Sequence, residues 1–540
     1  MANKDELFGA LICCTSGGVF KPSSIKKLID SLSLMGYNAL EICMEDMFDI
    51  DGEPYFGYLR GSYSKEELND LVEYGERKGV ELIPCIQTLA HLPHLAKLPP
   101  YSDLFDVDDI LMIGDPRVYS LIEKMFKTMR ECFQTSKINI GFDEAYLLGL
   151  GKYLRKNGFK DRLTIMIEHL QKVAEIAKKY GFKPHMWSDM FFRLTSTNHQ
   201  NGKCGDYSAR ESNLPSEIAE KIPQDISLVY WDYFTTDEAT FDKMATIHES
   251  MGVPIWFAGS AIVHDGFAPL NHKSLEVMEA AFKALRKHSI NNFLITMWGD
   301  DGNECSFFSA LPSLYAIRRF RDGVFDLSII KAEFKKLFNV SFDDMMLLDI
   351  PNQSPRNMDY KKISNPCKSL LYNDPFLGWK DYDLRKEGHI DFKEKSRILL
   401  EASIRAGEYG YLFKTLSSLC VALSFKAELG IKTRDAYKRG DKVALKSLQD
   451  EYQSAYESIK EFHSLFKKQW LHDNKPFGYE VHEARLGGLE SRVLDCKERI
   501  EEYLDGKVES IPELEKEILE YYDWGLQYNN YCGLVTVGKM

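Results

Sequence analysis

The first 320 residues alternate short apolar runs with longer amphipathic stretches, and this alternation limits the possible folds more than any other feature. The amphipathic stretches, such as Ser64–Lys78 and Arg117–Phe133, repeat apolar residues with a period of about 3.6, as helices do. Eight strands that alternate with helices predict an α/β fold, the (β/α)8 TIM barrel. The strand candidates are Leu7–Cys14, Ala39–Met44, Glu81–Ile86, Ile138–Phe142, Pro184–Trp187, Ile226–Tyr233, Ile255–Ala258 and Asn292–Trp298.

A doubly wound nucleotide-binding fold is the rival interpretation of this half of the chain. That fold needs a glycine-rich phosphate loop after its first strand, and Gly17-Gly18 alone is too weak a motif to support one. The sequence therefore gives no reason to expect a nucleotide or any other cofactor.

The character of the sequence changes near residue 325, where strand-like runs disappear and long helical patterns begin. We therefore expect a catalytic barrel over residues 1–325 and an α-helical C-terminal domain over residues 326–540. A homodimer interface and packing within the chain are both open for these helices, because periodicity does not separate the two. The predicted helices are Lys395–Leu429, Thr433–Gln469, Tyr479–Leu504 and Ile511–Tyr528.

Charge and cysteine usage narrow the class of partner and the compartment. The formal net charge of −13 argues against a nucleic acid or an anionic membrane as the main partner, because both attract basic surfaces. No apolar run reaches the roughly 18 residues that a membrane span needs. The N-terminus lacks a convincing signal peptide. The eleven cysteines are scattered without a CxxC motif, so we expect reduced core thiols, no zinc site and a cytoplasmic location.

An adjacent carboxylate pair, Asp143-Glu144, directly follows the fourth predicted strand in the run IGFDEAY. Charged residues are rarely left at the end of an apolar strand without a partner or a task. In a barrel, the carboxyl ends of the strands open into one active-site face, where further polar and aromatic residues would meet this pair. These residues are Glu45, Arg60, Gln87, His91, Trp187, Asp189, Trp231, Asp232, Tyr233, Trp256, His264, Asp265, Trp298, Asp300, Asp301 and Glu304.

Four of the seven tryptophans of the chain fall at these strand ends, and Trp231 is the most core-like of the four. Aromatic faces stack on the C–H side of a sugar ring, while carboxylates hold its hydroxyls. Neighbouring carboxylates cannot flank a glycosidic bond as nucleophile and acid, which lie at least about 5 Å apart. One of them can protonate the leaving group while the other steers a substrate acetamido group that acts as nucleophile.

Two other classes of function stay open on these residues. A metal-dependent sugar isomerase or epimerase would gather side chains around a divalent cation, for which the candidates are Glu45, Asp143, Asp189 and His264. A non-catalytic barrel would bind a sugar without turnover. The adjacent carboxylates and the tryptophans fit both alternatives less well than they fit glycoside hydrolysis.

The chain resembles the exo-β-N-acetylhexosaminidases of glycoside hydrolase family 20. The resemblance rests on Gly141-Phe142-Asp143-Glu144, on the segment 63–92 ending near His91, and on the Trp-rich stretch to the end of the predicted barrel. It implies the compact subgroup without an N-terminal α/β domain, because the first strand begins at residue 7. The resemblance implies removal of terminal non-reducing GlcNAc or GalNAc with retention, through a substrate-assisted oxazolinium mechanism. The implied partner is a carbohydrate, with neither a cofactor nor a metal ion.

The resemblance also implies roles for individual residues. Glu144 would be the general acid/base, Asp143 would orient the acetamido N–H, and Tyr233 would bond the acetamido oxygen. The sugar pocket would be lined by Trp187, Trp256 and Trp298, with Asp300 or Glu304 on the O4 and O6 hydroxyls. The chain departs from the family in the loop TSGGVFKP, where many members have an Arg that grips O3 and O4. The remaining candidates for substrate contact, including replacements for that Arg, are Glu45, Arg60, His91 and Asp232.

Overall fold

Eight parallel strands close into a barrel in the computed structural model, which describes residues 6–14, 17–196, 207, 220–264, 266–520, 526 and 530–536. The barrel strands are β1 Leu7–Cys13, β2 Ala39–Cys43, β3 Glu81–Cys85, β6 Lys137–Asn139, β7 Lys183–Trp187, β8 Ser227–Trp231, β9 Ile255–Ser260 and β10 Asn292–Met297. Around the barrel they follow the order β1-β10-β9-β8-β7-β6-β3-β2. Such closure excludes an open doubly wound sheet and confirms the predicted fold class.

Every predicted strand is present, with bounds that differ by a few residues. The two remaining strands, β4 (Phe105–Val107) and β5 (Ile110–Leu111), form a small antiparallel hairpin between β3 and β6. The sequence did not predict this hairpin because its strands of three and two residues are too short to show an alternating pattern.

Helices surround the barrel, and capping residues in the sequence mark where several of them begin or end. Ser64 and Glu67 form a reciprocal capping box at the start of one helix, and Gly79 ends it in the left-handed conformation. Gly36 ends an earlier helix in the same way. The helices up to residue 321 are Pro22–Met35, Lys65–Lys78, Pro93–Ala96, Pro116–Cys132, Lys152–Asn157, Arg162–Lys179, Asp189–Thr195, Glu238–Glu249, Asn271–Leu285 and Leu311–Arg321.

The described residues beyond 321 contain helices and no strands. The α-helices are Leu327–Phe338, Phe342–Met346, Pro366–Tyr372, Asp381–Glu387, Phe392–Arg405, Gly410–Lys426, Leu429–Lys438, Lys442–Asp473, Tyr479–Leu504, Pro512–Glu515 and Tyr531–Val535. Among the described residues, short 3-10 helices occupy Ser102–Leu104, Phe307–Ala310, Leu347–Asn352 and Gly407–Tyr409.

Three of the predicted C-terminal helices differ from the observed ones. The helix predicted over 395–429 is divided near Gly407, and the one over 433–469 is divided near Gly440; both glycines have positive φ, of 54° and 65°. The helix predicted over 511–528 reduces to Pro512–Glu515, because Lys516 has extended backbone with ψ 140°. Residues 521–525 and 527–528 of that prediction lie outside the described residues. Tyr479–Leu504 matches its prediction.

The barrel interior is filled by apolar side chains and thiols, and it also buries Glu41, which is hydrogen-bonded to Asn139 and His185. Cys13, Cys43 and Cys85 are paired in register across β1, β2 and β3, and all three are fully buried. Cys532 is exposed, and Cys204 lies outside the described residues. None of the helices within the described part of the chain is long and apolar enough to span a membrane.

Candidate active site

A cavity of about 250 Å³ opens at the carboxyl ends of the barrel strands, where the sequence placed the candidate site. The cavity is lined by residues that follow six different strands, and the first and last of these residues are more than two hundred positions apart in the chain. Its lining comprises Gln87, His91, Asp143, Glu144, Trp187, Trp231, Tyr233, Phe234, His264, Trp298 and Asp300. Asp265, a further candidate, lies outside the described residues.

The carboxylate pair enters the cavity on strained backbone. The strand β6 ends at Asn139, and Gly141, Phe142 and Glu144 then have φ of 74°, 77° and 52°. Left-handed conformations of non-glycine residues are unfavourable, and they gather at functional sites where the surrounding structure holds them. This turn brings Asp143 and Glu144 into the same cavity instead of leaving them on opposite sides of a strand.

His91 lies against both carboxylates. Its Nε2 atom is 3.1 Å from Asp143 Oδ2 and 3.8 Å from Glu144 Oε2. Burial opposes the charged imidazolium, but the two nearby carboxylates, Asp143 foremost, raise the pKa of His91 well above its usual value. The carboxylate pair therefore favours the charged form of His91.

A second group of side chains supports Glu144 from behind. The Tyr146 hydroxyl donates to Glu144 Oε1 at 2.7 Å, and the Glu144 backbone N–H donates to Asp189 Oδ2 at 3.2 Å. Arg193 Nε donates to the same Asp189 oxygen at 2.8 Å. Burial raises the pKa of Asp189 to about 6, although Arg193 opposes the shift. Tyr146 and Arg193 were not predicted; the four-residue spacing of Asp189 and Arg193 was the available signal.

Aromatic side chains form the walls of the cavity. Trp187 and Trp298 have ring centroids 5.6 Å apart, and Trp231 stacks on Tyr233 at 5.2 Å. Burial raises the pKa of the Tyr233 phenol well above its usual value, so this group stays a hydrogen-bond donor. Trp231, expected to be the most core-like of the four strand-end tryptophans, is a cavity wall.

Buried polar atoms of the lining lack partners within the described residues. They include Asp143 Oδ1, Gln87 Oε1 and Trp187 Nε1. Buried polar groups are normally hydrogen-bonded, so such atoms beside a cavity are suited to bind a polar ligand.

Three residues that were predicted to contact substrate do not line the cavity and make other contacts. Trp256 stacks on His185 at 4.1 Å inside the barrel, because its position on β9 faces the interior. The Asp232 carboxylate accepts the backbone N–H groups of Phe234 and Thr235 and so closes a turn. Glu304 is 3% exposed and pairs with cations of the C-terminal helices instead of facing the cavity.

Glu45 and Arg60 lie outside the cavity lining and pair with each other. Arg60 Nη2 is 3.4 Å from Glu45 Oε2, and Arg60 Nε is 3.4 Å from Asp46 Oδ1. Burial raises the pKa of Glu45 to about 8, with Arg60 opposing the shift. The side chains considered for a divalent cation are therefore not gathered: Glu45 pairs with Arg60, and Asp189 pairs with Arg193. No cluster of three potential metal ligands occurs among the described residues.

A closed (β/α)8 barrel with paired carboxylates in a tryptophan-walled cavity is typical of glycoside hydrolases. The model of the glycosyl hydrolase family 20 catalytic domain matches residues 15–208, and that of the glycoside hydrolase 20C C-terminal domain matches residues 343–530. Together they match more than half of the chain, and the chain belongs to glycoside hydrolase family 20.

Similar proteins include hexosaminidase D of Homo sapiens, 24% identical over 254 residues, which are 45% of this chain and 48% of the human protein. A hexosaminidase D of Bos taurus is 24% identical over 37% of this chain and 55% of its own length. The chain thus spans about half the length of the curated relatives it matches. Among solved structures, a chitobiase of Flavobacterium johnsoniae is 14% identical, with a TM-score of 0.48 over 94% of this chain and 74% of its own.

Proposed function

We propose that the protein is an exo-acting β-N-acetylhexosaminidase that removes terminal non-reducing GlcNAc or GalNAc from oligosaccharides or glycoconjugates. The observation that carries the proposal is that Asp143 and Glu144 share one cavity with the walls formed by Trp187, Trp231 and Trp298. A cavity of about 250 Å³ has room for a small ligand, in keeping with removal of one terminal sugar at a time. The names of the similar proteins support the same activity.

The reaction we propose is retaining and substrate-assisted. Glu144 donates its proton to the glycosidic oxygen as that bond breaks, and the acetamido oxygen of the substrate forms a bond to the anomeric carbon. Glu144 is suited to this exchange because its side chain is 37% exposed, the most open of the acidic pair. Water then attacks the oxazolinium intermediate and returns a proton to Glu144, which restores the enzyme and the anomeric configuration.

Asp143 and Tyr233 hold the acetamido group in this proposal. Asp143 Oδ1 accepts the acetamido N–H and stabilises the positive charge that develops on the intermediate. The Tyr233 hydroxyl donates to the acetamido oxygen and orients it towards the anomeric carbon. Asp143 Oδ1 suits its role because it is buried and without a partner within the described residues.

Asp300 and His264 are the candidates for the sugar hydroxyls. Both line the cavity, with His264 Nδ1 3.9 Å from Asp300 Oδ2. They lie on the side of the barrel opposite β6. A sugar bound between these two residues and the acidic pair would present its anomeric carbon to Asp143 and Glu144. Asp300 and His264 would then bind sugar hydroxyls in a position that Glu304 does not reach.

Hydrolysis of 4-nitrophenyl β-glycosides tests the proposal directly. We expect turnover of the N-acetylglucosaminide or the N-acetylgalactosaminide, no turnover of the glucoside, and unchanged rates in EDTA. The glucoside lacks the acetamido nucleophile, so its hydrolysis would indicate a two-carboxylate mechanism and overturn the proposal. Loss of activity in EDTA would favour a metal-dependent enzyme, and sugar binding without turnover would indicate a non-catalytic barrel.

A further inference from the structure

The loop after β10 carries Asp300 into the cavity, and the residues that follow it are held by the C-terminal helices. Asp301, Gly302 and Asn303 have consecutive positive φ values of 54°, 118° and 52°. Backbone of this kind persists only where contacts on all sides over-determine it. The contacts that hold this turn therefore also set the position of Asp300, its neighbour in the chain.

Two cations of the C-terminal helices bind two carboxylates of the loop. Lys368 is fully buried, and its Nζ is 2.6 Å from Asp301 Oδ2 and 2.8 Å from Glu304 Oε2. Arg485 donates to the Asp301 carbonyl at 2.7 Å and to its Oδ1 at 2.9 Å, and lies 3.3 Å from Glu304 Oε1. The four charges balance, so the cluster can stay ionised although it is buried.

Further contacts pack closely around the loop. His482 Nε2 lies 2.7 Å from the Gly302 carbonyl oxygen, and burial lowers the pKa of His482 to about 3, so a neutral ring donates this bond. A Cβ at Gly302 would lie 2.8 Å from Arg485 Nη1 and 2.9 Å from His482 Cε1. On the barrel side, the Asn303 N–H donates to the Gly299 carbonyl at 2.8 Å.

We infer that Arg485, Lys368 and His482 are positioning residues that place Asp300 against the sugar, so that the C-terminal domain takes part in substrate selection. None of the three lines the cavity, and each acts through the loop 299–304. The inference rests on the proposed function, in which Asp300 binds sugar hydroxyls. An apolar contact would hold the two domains together equally well, so stability alone does not account for four charges buried beside the cavity. A role in positioning Asp300 does account for them.

A double-mutant cycle between Asp300→Asn and Arg485→Lys tests the inference. Arg485→Lys keeps the charge but loses the forked contact with Asp301. With the 4-nitrophenyl N-acetylhexosaminide that the wild type prefers, we expect Arg485→Lys to lower kcat/KM about tenfold, because small misplacements of a binding group are costly. In the Asp300→Asn background the same change should lower kcat/KM by less than about twofold, because the group it positions is already lost.

Arg492→Lys is the matched control. Arg492 lies two turns further along the same helix and pairs with Asp374 and Asp495, away from the loop. We expect it to leave kcat/KM unchanged in both backgrounds. An equal loss from Arg485→Lys in both backgrounds, or no loss, would overturn the inference. If circular dichroism shows that Arg485→Lys does not fold, the cycle is run with His482→Phe under the same criteria. A wild type inactive on both acetamido glycosides would instead refute the proposed function.

Discussion

At the residue scale, the proposed chemistry depends first on the proton of Glu144. Glu144→Gln keeps the shape of the side chain but removes the acid, so we expect kcat on unactivated glycosides to fall by about 10²–10⁴-fold. Glu168→Gln, which changes an exposed partner of Lys160, is the control and should retain full activity. The measurement is kcat for both variants on a natural disaccharide; similar values would show that Glu144 is not the acid.

Trp231 and Trp256 have the opposite of the roles that the sequence indicated, since Trp231 lines the cavity and Trp256 packs inside the barrel. Substitution of each one distinguishes a cavity role from a packing role. Trp231→Phe should raise KM several-fold with little change in the melting temperature, because this side chain is a cavity wall. Trp256→Phe should lower the melting temperature and leave KM unchanged, because this ring packs on His185 within the barrel. Parallel kinetics and thermal melts of the two variants measure this difference, and the reverse outcome would contradict it.

Glu45 should make the stability of the fold dependent on pH. Burial raises its pKa from 4.5 to about 8, so between these values the folded state binds a proton that the unfolded state has released. The stabilisation is fully present below pH 4.5 and is lost as the pH rises through about 8. Glu45→Gln removes this titration. We expect the free energy of unfolding of Glu45→Gln, relative to that of the wild type, to increase as the pH rises from 5 to 9. The increase should be about a few kcal/mol, and urea unfolding at each pH measures it.

At the scale of single elements, the turn after β6 needs a glycine at position 141. A Cβ there would lie 2.0 Å from Gln87 Oε1, a cavity atom, on backbone with φ 74°. Gly79 has a similar φ of 71° with open space around it. We expect both Gly→Ala variants to lose about 1–3 kcal/mol through backbone strain. Only Gly141→Ala should also lower kcat/KM, since it displaces Gln87; equal activity of the two variants would contradict this.

Helix and strand ends were also predictable to different degrees. The capping box at Ser64 and the left-handed glycines 36 and 79 mark helix ends that local chemistry specifies, and the structure has them there. The divisions near Gly407 and Gly440 were missed because a single glycine inside a helical pattern is often tolerated. The short hairpin β4–β5 was missed because its strands of three and two residues are too short to show an alternating pattern.

At the scale of the whole molecule, the helical domain and the barrel share buried contacts. Phe267 packs against Phe462 and Phe466, and Lys475 pairs with Glu67 across more than four hundred residues. We therefore expect one cooperative transition in differential scanning calorimetry, because neither part can unfold without exposing these groups. Two transitions that respond separately to Arg485→Lys would contradict this expectation. A homodimer and a cytoplasmic location stay predictions, and sedimentation measures the first.

The sequence by itself determined the fold class and the place of the proposed catalytic pair. Eight apolar runs that alternate with helical patterns specify the barrel, because strands and helices are read from local periodicity. The barrel then places Asp143-Glu144 at its carboxyl face, because the carboxyl ends of all its strands open on the same side. Only the tertiary structure decided which strand-end residues share the cavity. Side-chain direction depends on register and on strained turns, which turned Trp231 inward to the cavity and left Trp256 in the barrel. It also joined Glu304 to Lys368 and Arg485, which periodicity could not indicate because the contact is made across domains.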